Sequence, residues 1–218
     1  MFTIVDFNNF WSPSGGGVRR YHLQKMAFYE RQNEVLSVFV MPSASTYTET
    51  RSDGLIIEHV EAFRFPGNWE YRFMWKSKQI RPILEKYKPD VIEVGSPYIL
   101  PSAVRSIAKK VVPNAALFSF WHADFPVTYV GRPIAKKFGA SVGVLSRRIA
   151  FWYAKQEFKN YDCVQASSKE AMARLKKNGL PDPRWIPLGC DIDTFSPSRR
   201  DEALVNELKD GDPNRLTT

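Results

Sequence analysis

Short apolar runs alternate with helically patterned stretches along the whole of this chain, and that alternation constrains the fold more than any other feature. Residues 3–7, 35–40, 54–60, 91–94, 115–120, 163–166 and 185–186 read as strands. Helices are expected over 18–32, 71–87, from Pro101 onward, over 132–138, 142–159 and 168–178. Strands separated by roughly ten or more helical residues build βαβ units, whose strands lie parallel. The runs are apolar on both sides of the strand register, as required when helices cover both faces of a sheet. The chain is therefore read as α/β, a Rossmann-like doubly wound parallel sheet.

Several classes are excluded at once. With 218 residues, 44% hydrophobic and 25% charged, the chain can bury a real core and is not a disordered polymer. No stretch approaches the ~18 unbroken apolar residues of a membrane-spanning helix. The start, Met1-Phe2-Thr3-Ile4-Val5-Asp6, has no basic segment and meets an acid at once, so it does not read as a secretory signal. Cys163 and Cys190 are too few for a disulfide framework and lack metal-site spacing. A cytoplasmic location is expected.

The net charge of +8 is concentrated in one place. Arg132, Lys136, Lys137, Arg147, Arg148, Lys155 and Lys159 face a single acid, Glu157, within one segment, a local net of +6. Charge this local points to a partner: an anionic membrane surface, an anionic substrate or nucleic acid. The plain alternative is a solvated helix face. No recognisable nucleic-acid motif accompanies the charge, so nucleic acid is not expected as a partner. In the same segment Val142, Leu145, Ile149 and Trp152 recur at helical spacing, with Arg148, Lys155 and Lys159 on a neighbouring face. Such a stripe fits an anionic bilayer surface. The need to cover both sheet faces favours the other expectation, that the stripe packs on the sheet.

Doubly wound sheets bind ligands beyond the carboxyl ends of their strands, which selects the loops 8–17, 95–100 and 121–129. The first holds Ser14-Gly15-Gly16-Gly17-Val18-Arg19-Arg20. Gly15, Gly16 and Gly17 let backbone N–H groups approach a ligand, and the helix N-terminus behind them favours an anion. Arg19 and Arg20 oppose the helix dipole in that first turn, a repulsion that a bound phosphate or carboxylate offsets. The spacing matches neither the dinucleotide fingerprint nor the P-loop, and a flexible turn with solvated arginines is the alternative. His122 directly follows a strand and suits contact with a substrate hydroxyl or phosphate, against the alternative of capping loop carbonyls. Asp124 has no second carboxylate at metal spacing. Glu93, Ser96 and Tyr98 suit substrate contacts, although Gly95-Ser96-Pro97 also fits a simple turn. His22 and His59 read as ordinary helix and strand histidines.

Four segments, in order, resemble the N-terminal half of a GT-B glycosyltransferase of family 4, the large retaining group. They are Ser14-Gly15-Gly16-Gly17-Val18-Arg19-Arg20, Lys88-Pro89-Asp90-Val91-Ile92-Glu93, His122-Ala123-Asp124-Phe125-Pro126, and Ile186-Pro187-Leu188-Gly189-Cys190-Asp191-Ile192-Asp193-Thr194-Phe195-Ser196-Pro197. The last is similar to the family's run at the junction of its two Rossmann-like domains. The third is closest to members that glycosylate lipids or lipid-linked acceptors.

The resemblance implies transfer of a sugar from a nucleotide-sugar donor to a glycan or lipid acceptor, with no metal or other cofactor. It implies that Gly15, Gly16 and Gly17 approach the donor diphosphate, that Arg19 and Arg20 are secondary anion contacts, and that His122 orients the sugar as the catalytic residue. Because this half of the family mostly shapes the acceptor pocket, Glu93, Ser96, Tyr98 and Asp124 are candidate acceptor contacts. It places a domain over 1–197, with 198–218 a short polar tail where the donor domain would begin. The family's paired glutamates have no counterpart; Glu85 and Glu93 match their spacing but straddle Lys88-Pro89-Asp90. Activity then needs a donor-binding domain that is separate or missing, a donor-domain polypeptide being one expected partner. The expected location is the cytoplasm, with peripheral contact at the inner face of the membrane. The alternative is a non-catalytic binding module that keeps the fold and takes a glycan, lipid or protein partner.

Overall fold

A computed structural model describes residues 1–11, 16–65, 68–189 and 191–209. Ser14, Gly15, Cys190 and the end of the expected tail lie outside the described residues. The chain divides into two compact units, Met1–Pro187 and Leu188–Thr218.

The first unit runs β1 (Phe2–Phe7), α1 (Gly17–Tyr29), β2 (Val35–Ser43), β3 (Tyr47–Ser52), β4 (Leu55–Glu61), β5 (Phe63–Phe65), β6 (Asn68–Phe73), α2 (Ser77–Tyr87) and β7 (Val91–Val94). It continues with α3 (Leu100–Val111), β8 (Ala116–Trp121), a π-helical turn (Pro126–Gly131), α4 (Arg132–Phe138), α5 (Ala140–Glu157), β9 (Cys163–Ala166), α6 (Lys169–Lys177) and β10 (Pro183–Trp185). Eight strands form one sheet in the order β10-β9-β8-β7-β1-β2-β4-β3, and β5 pairs with β6 apart from it. All neighbours in the large sheet are parallel except β3, which runs antiparallel to β4 at the edge.

The central strands are buried on both faces because their side chains are apolar on both. Val5, Phe7, Val38, Val40, Ile92 and Val94 are all fully enclosed, and each contributes about 1.5–3 kcal/mol through burial. Acids at the strand entrances pin the register. Asp90 accepts the Thr3 N–H at 2.7 Å, and Asp162 accepts the Leu117 N–H at 2.7 Å. Lys88 ends α2 in the left-handed region, at φ 43°, ahead of Pro89. That is the stop expected of Lys88-Pro89-Asp90.

Two readings from sequence are corrected. The helix expected over 71–87 begins only at Ser77, because the residues up to Phe73 form β6. Tertiary packing overrides the helical pattern there: Tyr71 and Phe73 meet the ring of Phe10 edge-on at 6.1 and 6.3 Å. The Gln79 side-chain oxygen then accepts the N–H groups of Trp75 and Lys76, which sets the helix start. The apolar stripe expected to pack on the sheet faces outward instead. Val142, Leu145, Ile149 and Trp152 are 46%, 58%, 56% and 64% exposed. The inward face of α5 is made by Gly143, Ala150, Phe151 and Ala154.

Gly143 explains how α4 and α5 come so close. A Cβ there would lie 2.3 Å from the Ala135 Cβ and 2.9 Å from the Gly131 carbonyl oxygen. Gly143→Ala is therefore expected to destabilise the first unit by roughly 1–2 kcal/mol in urea unfolding, an overpacking cost. A neutral result would show that the two helices are not held at this distance.

In the second unit the Asp191 carboxylate accepts the N–H groups of Asp193 and Thr194 at 3.1 and 3.0 Å and the Thr194 hydroxyl at 2.6 Å. A 3₁₀ turn, Pro197–Arg199, precedes α7 (Glu202–Lys209). Asp201 caps α7 by accepting from Ala203 and Leu204.

Candidate functional site

The sheet grows in both directions from β1, with β2 on one side and β7 on the other. Such a reversal leaves a crevice at the carboxyl ends of the strands. The loops after β1, β7 and β8 meet there around a cavity of about 830 Å³. Gly16, Gly17, Arg19, Tyr98 and His122, all singled out from sequence, line it. Much of the remaining wall is aromatic: Phe10 lies 5.9 Å from Tyr98, and Tyr98 lies 5.0 Å from Phe125. Asn9 fixes one side by bonding both backbone groups of Met74, donating to its carbonyl at 3.1 Å and accepting its N–H at 2.9 Å.

One wall is electropositive. The first-turn N–H groups of α1 have no intrahelical acceptor, and they carry the positive end of the dipole. The Arg19 guanidinium sits 5.9 Å over the Trp11 ring, and its buried Nε has no hydrogen-bond acceptor among the described residues. Arg20 is exposed and does not line the cavity.

His122 forms part of the floor. Its ring stacks on Phe120 at 4.7 Å and meets Tyr21 and His22 at 5.1 and 5.2 Å. Burial, then the neighbouring His22 and Lys25, push its pKa down to about 3, although Glu93 pulls the other way. The imidazole is neutral at physiological pH, and its buried Nε2 has no partner among the described residues. A side chain at Gly95 would crowd it, since a Cβ would lie 3.3 Å from both His122 Nε2 and Asn8 Oδ1. A neutral imidazole so placed can share a hydrogen bond with a ligand, but it is a poor proton acceptor.

Residues 15–194 match Glycosyltransferase Family 4. The chain belongs to this family. Among its relatives, the GDP-mannose-dependent alpha-(1-6)-phosphatidylinositol dimannoside mannosyltransferase of Mycobacterium tuberculosis (strain ATCC 25177 / H37Ra) is 26% identical over 201 residues, covering 90% of this chain and 48% of the relative. A GDP-mannose-dependent alpha-mannosyltransferase of Mycolicibacterium smegmatis is 28% identical over 153 residues, covering 70% of this chain and 38% of the relative. This family 4 chain therefore spans about half the length, or less, of the curated relatives it matches. Sucrose-phosphate synthase from Thermosynechococcus elongatus superposes with a TM-score of 0.62 at 16% identity, over 94% of this chain and 53% of that one. The fold is that of a GT-B glycosyltransferase domain.

The other candidates of this family 4 chain lie beneath or beside the cavity. Glu93 is buried and accepts from Lys25 Nζ at 2.8 Å, while the same ammonium reaches Asp6 at 2.7 Å. Burial raises both carboxyl pKa values, and Lys25 opposes the rise. Burial alone would lower the Lys25 pKa, but the two carboxylates outweigh it and hold the value well above normal. Ser96 is buried, and its hydroxyl has no partner among the described residues. Asp124 pairs with Arg174 at 2.8 Å, its pKa raised chiefly by burial. Among the described residues no three His, Cys, Asp or Glu side chains gather as a metal site.

Sequence reasoning passed over Asp6 and Lys25 and read His22 as an ordinary helix histidine. His22 is fully buried, with Nδ1 3.8 Å from the Asp6 carboxylate, and its ring meets Phe39 at 4.8 Å. A signal was present: Arg19, His22 and Lys25 recur every third residue on α1, so they share one helix face behind the glycine loop.

Proposed function

We propose that this chain is the acceptor-side half of a glycosyltransferase that moves a sugar from a nucleotide sugar to a glycan or lipid acceptor. The names of the mannosyltransferase relatives support GDP-mannose as the donor and a phosphatidylinositol-type glycolipid as one acceptor class. The observation that carries the reading is the convergence of a helix N-terminus, Arg19, His122 and an aromatic wall on one cavity.

Each part has a role in that reaction. The N–H groups at Gly16 and Gly17, with Arg19, stabilise the charge that develops on the leaving diphosphate, without a metal. Neutral His122 orients the transferred sugar through a hydrogen bond to a hydroxyl. Burial raises the Tyr98 pKa to about 12, so its hydroxyl stays protonated and can donate to the acceptor. The aromatic rings cover the apolar faces of sugar rings or lipid. The nucleoside end of the donor belongs to a separate donor-binding domain. An electrostatic clamp with one side open to water loses most of its strength to solvation and screening.

Calorimetric titration of the purified chain with GDP-mannose and UDP-glucose tests this reading. Weak binding is expected that falls with salt, disappears in Arg19→Ala and persists in His122→Ala. Absence of binding by any nucleotide sugar would contradict the donor assignment. Turnover by the chain alone, lost in His122→Ala, would contradict the half-site assignment.

A further inference from the structure

The exposed face of α4 and α5 is the largest feature that the transfer reaction leaves unexplained. Leu145, Ile149 and Trp152 stand exposed along one side of α5, with Phe138 exposed at the end of α4. All seven cations from Arg132 to Lys159 are exposed; Arg148 and Lys155 border the stripe on α5, whereas Arg147 lies on the Gly131 side of the helix. The only acid in that stretch, Glu157, is buried and accepts the Ser102 N–H at 3.2 Å. The surface therefore combines large apolar side chains with a net positive charge, which Asp124 offsets only beside Arg132 and Arg147. Solvated helix faces carry charge without such a stripe. Surfaces that read phosphodiester strands have little use for clustered aliphatic side chains among their cations. Among the described residues no helix is long and apolar enough to cross a membrane. The combination matches an element that lies in a bilayer interface: aliphatic and tryptophan side chains enter the headgroup region, and cations meet anionic headgroups.

The face also leads to the cavity. The π-helical turn joins the cavity rim to α4, and its exposed Tyr129 lines the cavity. On α5, the Tyr153 hydroxyl accepts the N–H of Ile99, an exposed residue of the same rim, at 3.1 Å. Ile99 holds φ 56°, and the Leu100 N–H turns back to the Tyr98 carbonyl. A β-branched residue at positive φ is strained, so the rim at Ile99 is held in position by its surroundings.

We propose that the α4–α5 face docks on an anionic lipid bilayer and holds the cavity mouth at the lipid surface. The docking stands on the exposed face alone; the use of the mouth rests on the acceptor reading above. Vesicle co-sedimentation tests it with the whole chain, using phosphatidylcholine vesicles with and without phosphatidylglycerol. Binding is expected to the phosphatidylglycerol vesicles at low salt, to weaken at high salt, and to be much smaller with phosphatidylcholine alone. Replacing Leu145, Ile149 and Trp152 together by serine is expected to lower partitioning roughly tenfold or more. Arg148→Gln with Lys155→Gln should act mainly through the anionic lipid and the salt dependence. Because the five positions are exposed, circular dichroism melting and nucleotide-sugar binding of these variants should match the parent. No binding to either vesicle at low salt overturns the docking, as does binding that the serine variant retains. Preference for a duplex oligonucleotide over the anionic vesicles, or dimers that lose their contact in the serine variant, overturns it too. Loss of nucleotide binding with docking intact would strike the transfer reading and leave the docking standing.

Discussion

Replacing Lys25 by methionine is expected to cost about 3–5 kcal/mol of folding stability, the usual penalty for removing one partner of a buried ion cluster. Asp6 is fully buried and Glu93 nearly so, and the Lys25 ammonium bridges them at 2.7 and 2.8 Å. One oxygen of each carboxylate already lacks a hydrogen-bond partner among the described residues. Without the lysine, two like charges would share a dry site, and folding would have to protonate at least one. The variant should therefore recover stability as the pH falls into the carboxylate range. Adding Asp6→Asn and Glu93→Gln should restore much of the loss at neutral pH. Urea unfolding followed by circular dichroism measures all three. A loss below ~1 kcal/mol in Lys25→Met would show that solvent reaches the cluster.

Acidification is expected to weaken the fold well above the carboxylate range. The His122 pKa is about 3 in the folded chain against an ordinary value of 6.5. Above 6.5 neither state binds this proton, and stability is complete. Between those values only the unfolded chain binds it, so stability falls as pH falls, by about 1.4 kcal/mol per unit. By about pH 5 the loss from His122 reaches roughly 2 kcal/mol. His22 adds to it with the same sign, because burial first and Lys25 second push its pKa well below normal. Asp6 and Glu93 act oppositely. Their raised values contribute stability that is present below the ordinary carboxylate range and lost as pH rises through their folded values. They offset part of the histidine loss at the acid end. His122→Gln should flatten the slope between neutral pH and about pH 5; an unchanged slope would show that His122 is not held neutral by burial.

The same cluster shows where sequence reading reaches its limit. Gly16, Gly17, Arg19, Tyr98 and His122 were legible because each lies in the loop that follows a strand or in the first turn of the next helix, positions that the βαβ pattern specifies locally. The Asp6–Lys25–Glu93 cluster was not. Its members lie on three elements up to 87 residues apart, and only the parallel pairing of β1 with β7 sets Asp6 beside Glu93. The Asn9–Met74 pair, 65 residues apart, is invisible for the same reason.

By itself the sequence determined where the central strands lie along the chain, their two-sided burial and the stop before β7. These follow from side-chain period and local backbone preference, which act within a few residues. Tertiary structure alone decided the edge strand β3, the β5–β6 pair and the outward turn of the α5 stripe. β3 carries little apolar pattern because its side chains are half-buried or exposed. β6 exists because Phe10 supplies a surface for Tyr71 and Phe73. Periodicity locates an apolar stripe on α5 but says nothing of what it faces. The close approach of α4 at Gly143 and the burial of Ala150 and Ala154 set that direction, because a helix has one rotation about its axis and its tightest contacts claim it.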